Sequence, residues 1–264
     1  MSNLRVLVSG AFGRMGRFVC QAVHSAPDLT LVGAVDPAGV GHAVSEILGD
    51  DSELKVSGHL GGALEETVPE VMVDFTTPSV VLDNLEAALT RHVPCVVGTT
   101  GLSPTDLKVV ETMCTKMATP CVIAPNFSIG ANLMMRFAAE AAKSFEYAEI
   151  LEHHHERKVD SPSGTAIRTA QLMAEARGES FATVNTEVEK APGSRGGECY
   201  GIQVHATRMP GYVADQEVLL GGLGERLVIT HVSISRECFM PGVLLAVRKV
   251  RECKGLVYGL ENLL

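Results

Sequence analysis

The sequence predicts an α/β protein: a doubly wound parallel sheet joined to a second, α+β domain whose sheet is mixed and mostly antiparallel. Three observations predict it. Short apolar, β-branched runs alternate with helix-period segments through the first half, as when helices return each strand parallel to the last. Those runs are continuously apolar, the pattern of strands covered on both faces. After Phe127 the strand-like runs follow one another without long helices between them, which suits antiparallel neighbours.

Taken in order, residues 4–8 are a β-branched run ending in Ser9-Gly10, and residues 14–26 place Met15, Val19, Ala22 and Val23 at helical spacing. Strand, glycine turn and helix follow in that order. Further strands are expected at 29–35, 71–75, 95–97 and 121–124, with helices at 79–91 and 105–117. A helix over 129–143 opens the second half, followed by strands at 147–151, 200–207, 215–220 and 226–235 and a helix over 163–176. Residues 184–198 combine charge, Gly and Pro, and Gly193-Ser194-Arg195-Gly196-Gly197 reads as a mobile surface loop. A last helix begins at Pro241, and the apolar tail after it is expected to pack back on the first domain.

The 264 residues, 46% of them hydrophobic, can bury a substantial core. No apolar run approaches the roughly 20 residues a membrane helix needs, and Arg5, Arg14 and Arg17 interrupt the first segments, so neither a membrane span nor a signal peptide is expected. Seven scattered cysteines without a C-x-x-C pair suit reduced thiols in a cytoplasmic protein. A net charge of -9 argues against a general nucleic-acid surface while leaving room for a local basic pocket.

Gly10-Ala11-Phe12-Gly13-Arg14-Met15-Gly16 follows a strand and opens a helix. Its backbone N–H groups can face a pyrophosphate while the missing side chains permit close approach. The G-x-x-G-x-x-G spacing departs from the usual G-x-G-x-x-G, and a plain turn with a solvated aspartate is the competing reading. Asp36 ends the second strand, 20 residues after Gly16, where a carboxylate can accept from ribose hydroxyls, and this order favours a Rossmann-like dinucleotide site. Pro37 offers no cation for a 2'-phosphate, so NADH is expected over NADPH. Gly98-Thr99-Thr100-Gly101 and Ala124-Pro125-Asn126-Phe127 follow two other strands on the same sheet edge. Each alone is commonly a tight turn; together they outline a floor for the nicotinamide.

Residues 152–166, Glu152-His153-His154-His155-Glu156-Arg157-Lys158-Val159-Asp160-Ser161-Pro162-Ser163-Gly164-Thr165-Ala166, gather three of nine histidines beside a lysine and a helix start. A metal site is disfavoured, because His155-Glu156-Arg157-Lys158-Val159 lacks the second histidine of H-E-x-x-H and adjacent histidines on an extended chain diverge. The catalytic reading has His154 and Lys158 handling a proton, with His155 and the helix start at Gly164 and Thr165 holding an anionic substrate. An exposed polar loop capped by Ser163 remains the alternative, and the neighbouring dinucleotide motif weighs toward catalysis. Two other functions fit the glycine turn: an acyl-phosphate or aldehyde reductase, which needs an activated cysteine, and a redox-sensing NAD(H)-binding regulator.

V-S-G-A-F-G-R-M-G, V-D-F-T, V-G-T-T-G, A-P-N-F-S-I-G and E-H-H-H-E-R-K-V-D-S-P-S-G-T-A, in that order, resemble the 4-hydroxy-tetrahydrodipicolinate reductase family, formerly dihydrodipicolinate reductase, over nearly the whole chain. The resemblance implies reduction of (2S,4S)-4-hydroxy-2,3,4,5-tetrahydrodipicolinate, a small dicarboxylate, with NADH or NADPH and loss of water. It implies a dinucleotide-binding domain at 1–126 completed by 237–264, and a substrate-binding and oligomerisation domain at 127–236 that builds a homotetramer. It places the proton donor/acceptor on His154, the catalytic lysine on Lys158 and substrate carboxylate binding on His155, Gly164 and Thr165. Cofactor contacts fall on Gly10, Ala11, Phe12, Gly13, Arg14, Met15, Asp36, Gly98, Thr99, Thr100, Ala124, Pro125, Asn126 and Phe127. His153, Glu156 and Arg157 receive no catalytic role.

Overall fold

The structure, a computed structural model, describes residues 3–184 and 186–264. The chain divides into two compact units, Met1–Ser128 with Phe239–Leu264, and Ile129–Cys238. The first unit alternates as the sequence predicts: β1 (Leu4–Ser9), α1 (Arg14–Ser25), β2 (Leu29–Val35), α2 (Ser45–Leu48), β3 (Val56–Ser57), α3 (Leu60–Thr67), β4 (Val71–Asp74), α4 (Val81–Leu89), β5 (Cys95–Val97), α5 (Pro104–Met117) and β6 (Cys121–Ile123). The second unit holds α6 (Ile129–Ala142), β7 (Tyr147–His154), α7 (Gly164–Arg177), β8 (Gly197–Cys199), β9 (Ile202–Arg208), β10 (Ala214–Gly222) and β11 (Glu225–His231). The chain then returns to the first unit through α8 (Met240–Lys249) and β12 (Leu256–Tyr258).

The first sheet has seven strands in the order β12-β6-β5-β4-β1-β2-β3, every pairing parallel. Val6, Leu7 and Val8 are all fully buried, so successive side chains of β1 meet protein on both faces. Leu7, Met72, Leu85, Leu89 and Val110 pack together beneath α3, α4 and α5. Parallel pairing puts the carboxyl ends of β1, β2, β5 and β6 on one edge, where the predicted cofactor residues follow each strand. The apolar tail is the end strand β12, paired with β6.

The second sheet has five strands in the order β11-β10-β7-β9-β8, with β7–β9 parallel and the other pairings antiparallel. On β7, Ala148, Ile150 and Glu152 are buried, alternating with half-exposed neighbours. This face packs with Met134, Ala138, Ala170 and Met173 of α6 and α7.

Several expected elements are corrected. The strand expected to stop at Leu151 runs to His154, because pairing with Asp215 and Ala214 of β10 and Thr207 and Arg208 of β9 carries it past the last apolar residue. His153 and His154 therefore sit on a strand, not on a connection. The strand expected over 226–235 ends at His231, where pairing with β10 stops. Elements α2, β3 and α3 were not foreseen; they are short, and Gly61-Gly62 weakens the helical signal of α3. Asn185 of the expected loop at 184–198 lies outside the described residues, and most of the remainder is exposed.

Candidate active site

In the first unit the turn from β1 to α1 tolerates no side chain at two positions. A Cβ on Gly10, whose φ is +79°, would lie 2.5 Å from the Phe75 carbonyl oxygen, and one on Gly16 would lie 1.9 Å from that of Gly10. The turn is tied to β2 by Gly10 and Ala11 N–H groups donating to the Val35 carbonyl at 2.8 and 3.1 Å. Gly13 occupies the N-cap of α1 without a side-chain cap, and no acidic residue lies in its first turn. An anion approaching the amides of Arg14 and Met15 would therefore meet no competing carboxylate of the first turn. Asp36 accepts from Phe12 N–H and from Ala38 N–H, both at 2.9 Å, which locks the glycine turn to the end of β2. Arg17 stacks over the Phe12 ring at 4.3 Å. These residues fit a dinucleotide: close-approach glycines, an uncapped helix start and a carboxylate with lone pairs left for ribose hydroxyls.

The floor is built around Asp74, a fully buried carboxylate at the end of β4. It accepts from Thr76 Oγ1 at 2.7 Å, Thr99 Oγ1 at 2.8 Å and Asn84 Nδ2 at 2.8 Å. The Thr99 side chain thus turns into the protein, whereas Thr100 is exposed. A Cβ on Gly98 would fall 2.1 Å from the Phe75 ring. Phe75 packs against Phe127 with ring centroids 5.8 Å apart, so the 98–100 and 124–127 segments rest on one aromatic pair. Ala124 N–H donates to the Val97 carbonyl at 3.1 Å and Ser128 N–H to Asn126 Oδ1 at 2.8 Å. Pro125 lies between these anchored residues.

The second unit carries the basic cluster. His154 ends β7 on the face shared with Glu152, and its Nδ1 is 2.5 Å from Glu152 Oε2. Arg208, the register partner of His154 on β9, grips the same carboxylate through Nη1 at 2.9 Å and Nη2 at 2.7 Å. Ser163 N–H donates to Glu152 Oε1 at 3.1 Å, and the Ser163 hydroxyl accepts from Ala166 N–H to cap α7. Burial pushes the Glu152 carboxyl up, but bonds to His154 and Arg208 outweigh it and hold the group down at about 2. Lys158 Nζ lies 2.7 Å from Asp160 Oδ1, and this cation keeps the Asp160 carboxyl below its ordinary range. Arg208 Nη2 also donates to the Asp160 carbonyl at 2.8 Å. Gly164 opens α7 onto free space, since a Cβ there would meet nothing within 4 Å. Thr165 follows it in the first turn of α7.

His155 differs from its neighbours. Desolvation and then the Arg236 charge lower its pKa, so the ring is neutral near pH 7. Its Nδ1 accepts from Arg157 N–H at 3.1 Å, which leaves Nε2 as the donor a carboxylate would meet. His153 takes the opposite face of β7 and stacks on Tyr212, with ring centroids 4.8 Å apart. Among the described residues no group of three His, Cys, Asp or Glu side chains is placed to hold a metal ion. The seven cysteines are free thiols, and burial pushes Cys20 up to about 12 and raises Cys95 well above its ordinary value. Among the described residues no helix is long and apolar enough to cross a membrane.

Sequence reasoning passed over Glu152, Arg208, Asp160 and Arg236. Glu152 and His154 share a period-two face, a signal hidden once the strand is ended at Leu151. Arg208 and Arg236 come from distant segments, and no local spacing links them to the cluster.

The chain matches the family models described as dihydrodipicolinate reductase, N-terminus, over residues 4–127, and dihydrodipicolinate reductase, C-terminus, over residues 130–264. It is 46% identical over 266 residues to the 4-hydroxy-tetrahydrodipicolinate reductase of Desulfitobacterium hafniense, covering all of both chains. To that of a Synechocystis species it is 48% identical over 268 residues, 98% of this chain and 97% of the other. The solved dipicolinate-bound dihydrodipicolinate reductase from Paenisporosarcina sp. TG-14 superimposes with a TM-score of 0.87 at 38% identity, covering 99% of this chain and 100% of that one.

Proposed function

This chain belongs to the dihydrodipicolinate reductase family and reduces 4-hydroxy-tetrahydrodipicolinate with NAD(P)H in lysine and diaminopimelate biosynthesis, and we propose that His154 and Lys158 handle the proton of that reaction. The substrate is read as the (2S,4S)-4-hydroxy-2,3,4,5-tetrahydro compound, which loses water and takes up a hydride and a proton across a conjugated C=C/C=N system. When bound at the Gly10–Met15 turn, Asp36 and the two floor segments, the nicotinamide supplies the hydride.

The observation that carries the proposal is the gathering near one helix start of a carboxylate-backed imidazole, a lysine and the first-turn amides of α7. His154, with Nδ1 toward Glu152, presents Nε2 to accept or return a proton. Lys158, its ammonium held by Asp160, neutralises substrate charge and delivers a proton as the substrate displaces that partner. The Gly164 and Thr165 amides at the start of α7 and the neutral His155 receive carboxylate oxygens. The Paenisporosarcina relative is dipicolinate-bound, and the same class of ring dicarboxylate suits these donors.

NADH is read as the preferred cofactor, because Asp36 repels a 2'-phosphate and Pro37 supplies no cation against it. A cytoplasmic homotetramer completes the proposal: the unpaired thiols suit a reducing compartment, and the tetramer comes from family resemblance. Lys158→Ala should lower kcat by about 100-fold or more while leaving NADH affinity within about twofold. Steady-state turnover and calorimetric NADH titration check this, and unchanged turnover removes Lys158 from the mechanism.

A further inference from the structure

We infer that Glu152 is the positioning residue of the site: it fixes the proton of His154 on Nδ1, leaves Nε2 to react, and clamps that imidazole to the helix start that receives the substrate. The inference rests on the proposed role of His154. Glu152 itself is fully buried and accepts at both oxygens, so it is out of reach of substrate. Oε2 takes His154 Nδ1 and Arg208 Nη1; Oε1 takes Ser163 N–H and Arg208 Nη2. A carboxylate with a cation against it is an acceptor only, so the hydrogen shared with His154 must reside on the ring nitrogen. That assignment makes Nε2 of a neutral His154 the acceptor.

The same carboxylate does more than choose a tautomer. Through Ser163 it anchors the residue that caps α7, and through Arg208 it reaches the Asp160 carbonyl, whose side chain holds Lys158. His154, Lys158 and the amides at Gly164 and Thr165 are thereby referenced to one buried group. The charged groups around His154 are Glu152 on its own strand, Arg208 on β9 and His155 next in the chain, while β10 presents Ala214 in register. Among the described residues Glu152 is the carboxylate bonded to the ring. An uncharged glutamine would place an amide N–H against either His154 Nδ1 or the Ser163 N–H. The lower cost lies at the first, where the imidazole answers by moving its proton to Nε2.

The test is nitrogen-15 NMR of the histidine rings in the free enzyme, with His154 assigned by its loss in His154→Asn, alongside kinetics of Glu152→Gln and Glu152→Asp. The protein should show neutral His154 protonated on Nδ1, and Glu152→Gln should show it protonated on Nε2. In Glu152→Gln, kcat should fall at least about tenfold, with partial recovery in Glu152→Asp. Native His154 protonated on Nε2 overturns the inference, whether or not the variants fold. A folded Glu152→Gln with the native tautomer overturns it as well. Undiminished kcat in His154→Asn overturns the catalytic reading instead, and does so independently of the tautomer.

Discussion

Glu152 shows how much one side chain decides at the residue scale. Its carboxyl sits at about 2 in the folded chain against an ordinary 4.5. A depressed folded-state value stabilises fully above the unfolded value and is lost as pH falls toward the folded one. The gain is about 3 kcal/mol for this group, present above roughly pH 4.5 and lost toward pH 2. Urea unfolding of Glu152→Gln should therefore lose less stability between pH 5 and pH 3 than the unmodified protein does; equal slopes would show that the ion pairs with His154 and Arg208 persist on unfolding. His155 works differently. Its lowered pKa makes it a neutral donor for the proposed carboxylate contact, so His155→Ala should raise KM several-fold with kcat nearly kept, and a KM unaltered by the change would remove it from substrate binding.

At the scale of elements, function depends on where strands stop and helices start. The β1–α1 turn was legible because its constraint is local: glycines at 10 and 16 are required where a Cβ would meet carbonyl oxygens at 2.5 and 1.9 Å. Gly16→Ala should weaken NADH binding by about tenfold or more, read by calorimetry, since the added methyl forces the helix start away from the turn. Native affinity in that variant would show that the turn has slack the contacts deny. The end of β7 was not legible. Its last residues are charged and imidazole-bearing, and only pairing with β9 and β10 identifies them as strand. Once the strand reaches His154, alternation puts His154 with Glu152 on the helix-covered face and His153 with Tyr212 on the other, which explains why three adjacent histidines have three different fates. The α7 start was legible for the opposite reason, as Ser163 caps it from within the motif.

At the scale of the whole molecule, the first unit holds the glycine turn, Asp36 and the aromatic-backed segments proposed for the cofactor, and the second holds the residues proposed for proton transfer and carboxylate binding. The parallel sheet was readable from continuous apolar runs, but Arg208 and Arg236 were not, because tertiary pairing alone brings them to His154 and His155. Cofactor choice belongs to this scale too. With Asp36 engaged at the turn and followed by Pro37, kcat/KM should favour NADH over NADPH by about tenfold or more, and an NADPH advantage would require a cation from elsewhere in the fold. The central claim, that His154 and Lys158 handle the proton of the reduction, is tested most directly by a coupled assay that generates 4-hydroxy-tetrahydrodipicolinate in place and follows NADH oxidation in the unmodified enzyme and in a His154→Asn/Lys158→Ala double variant, with NADH affinity measured on the same preparations. The account predicts retained NADH binding with turnover reduced by about 100-fold or more; turnover equal to that of the unmodified enzyme would contradict it.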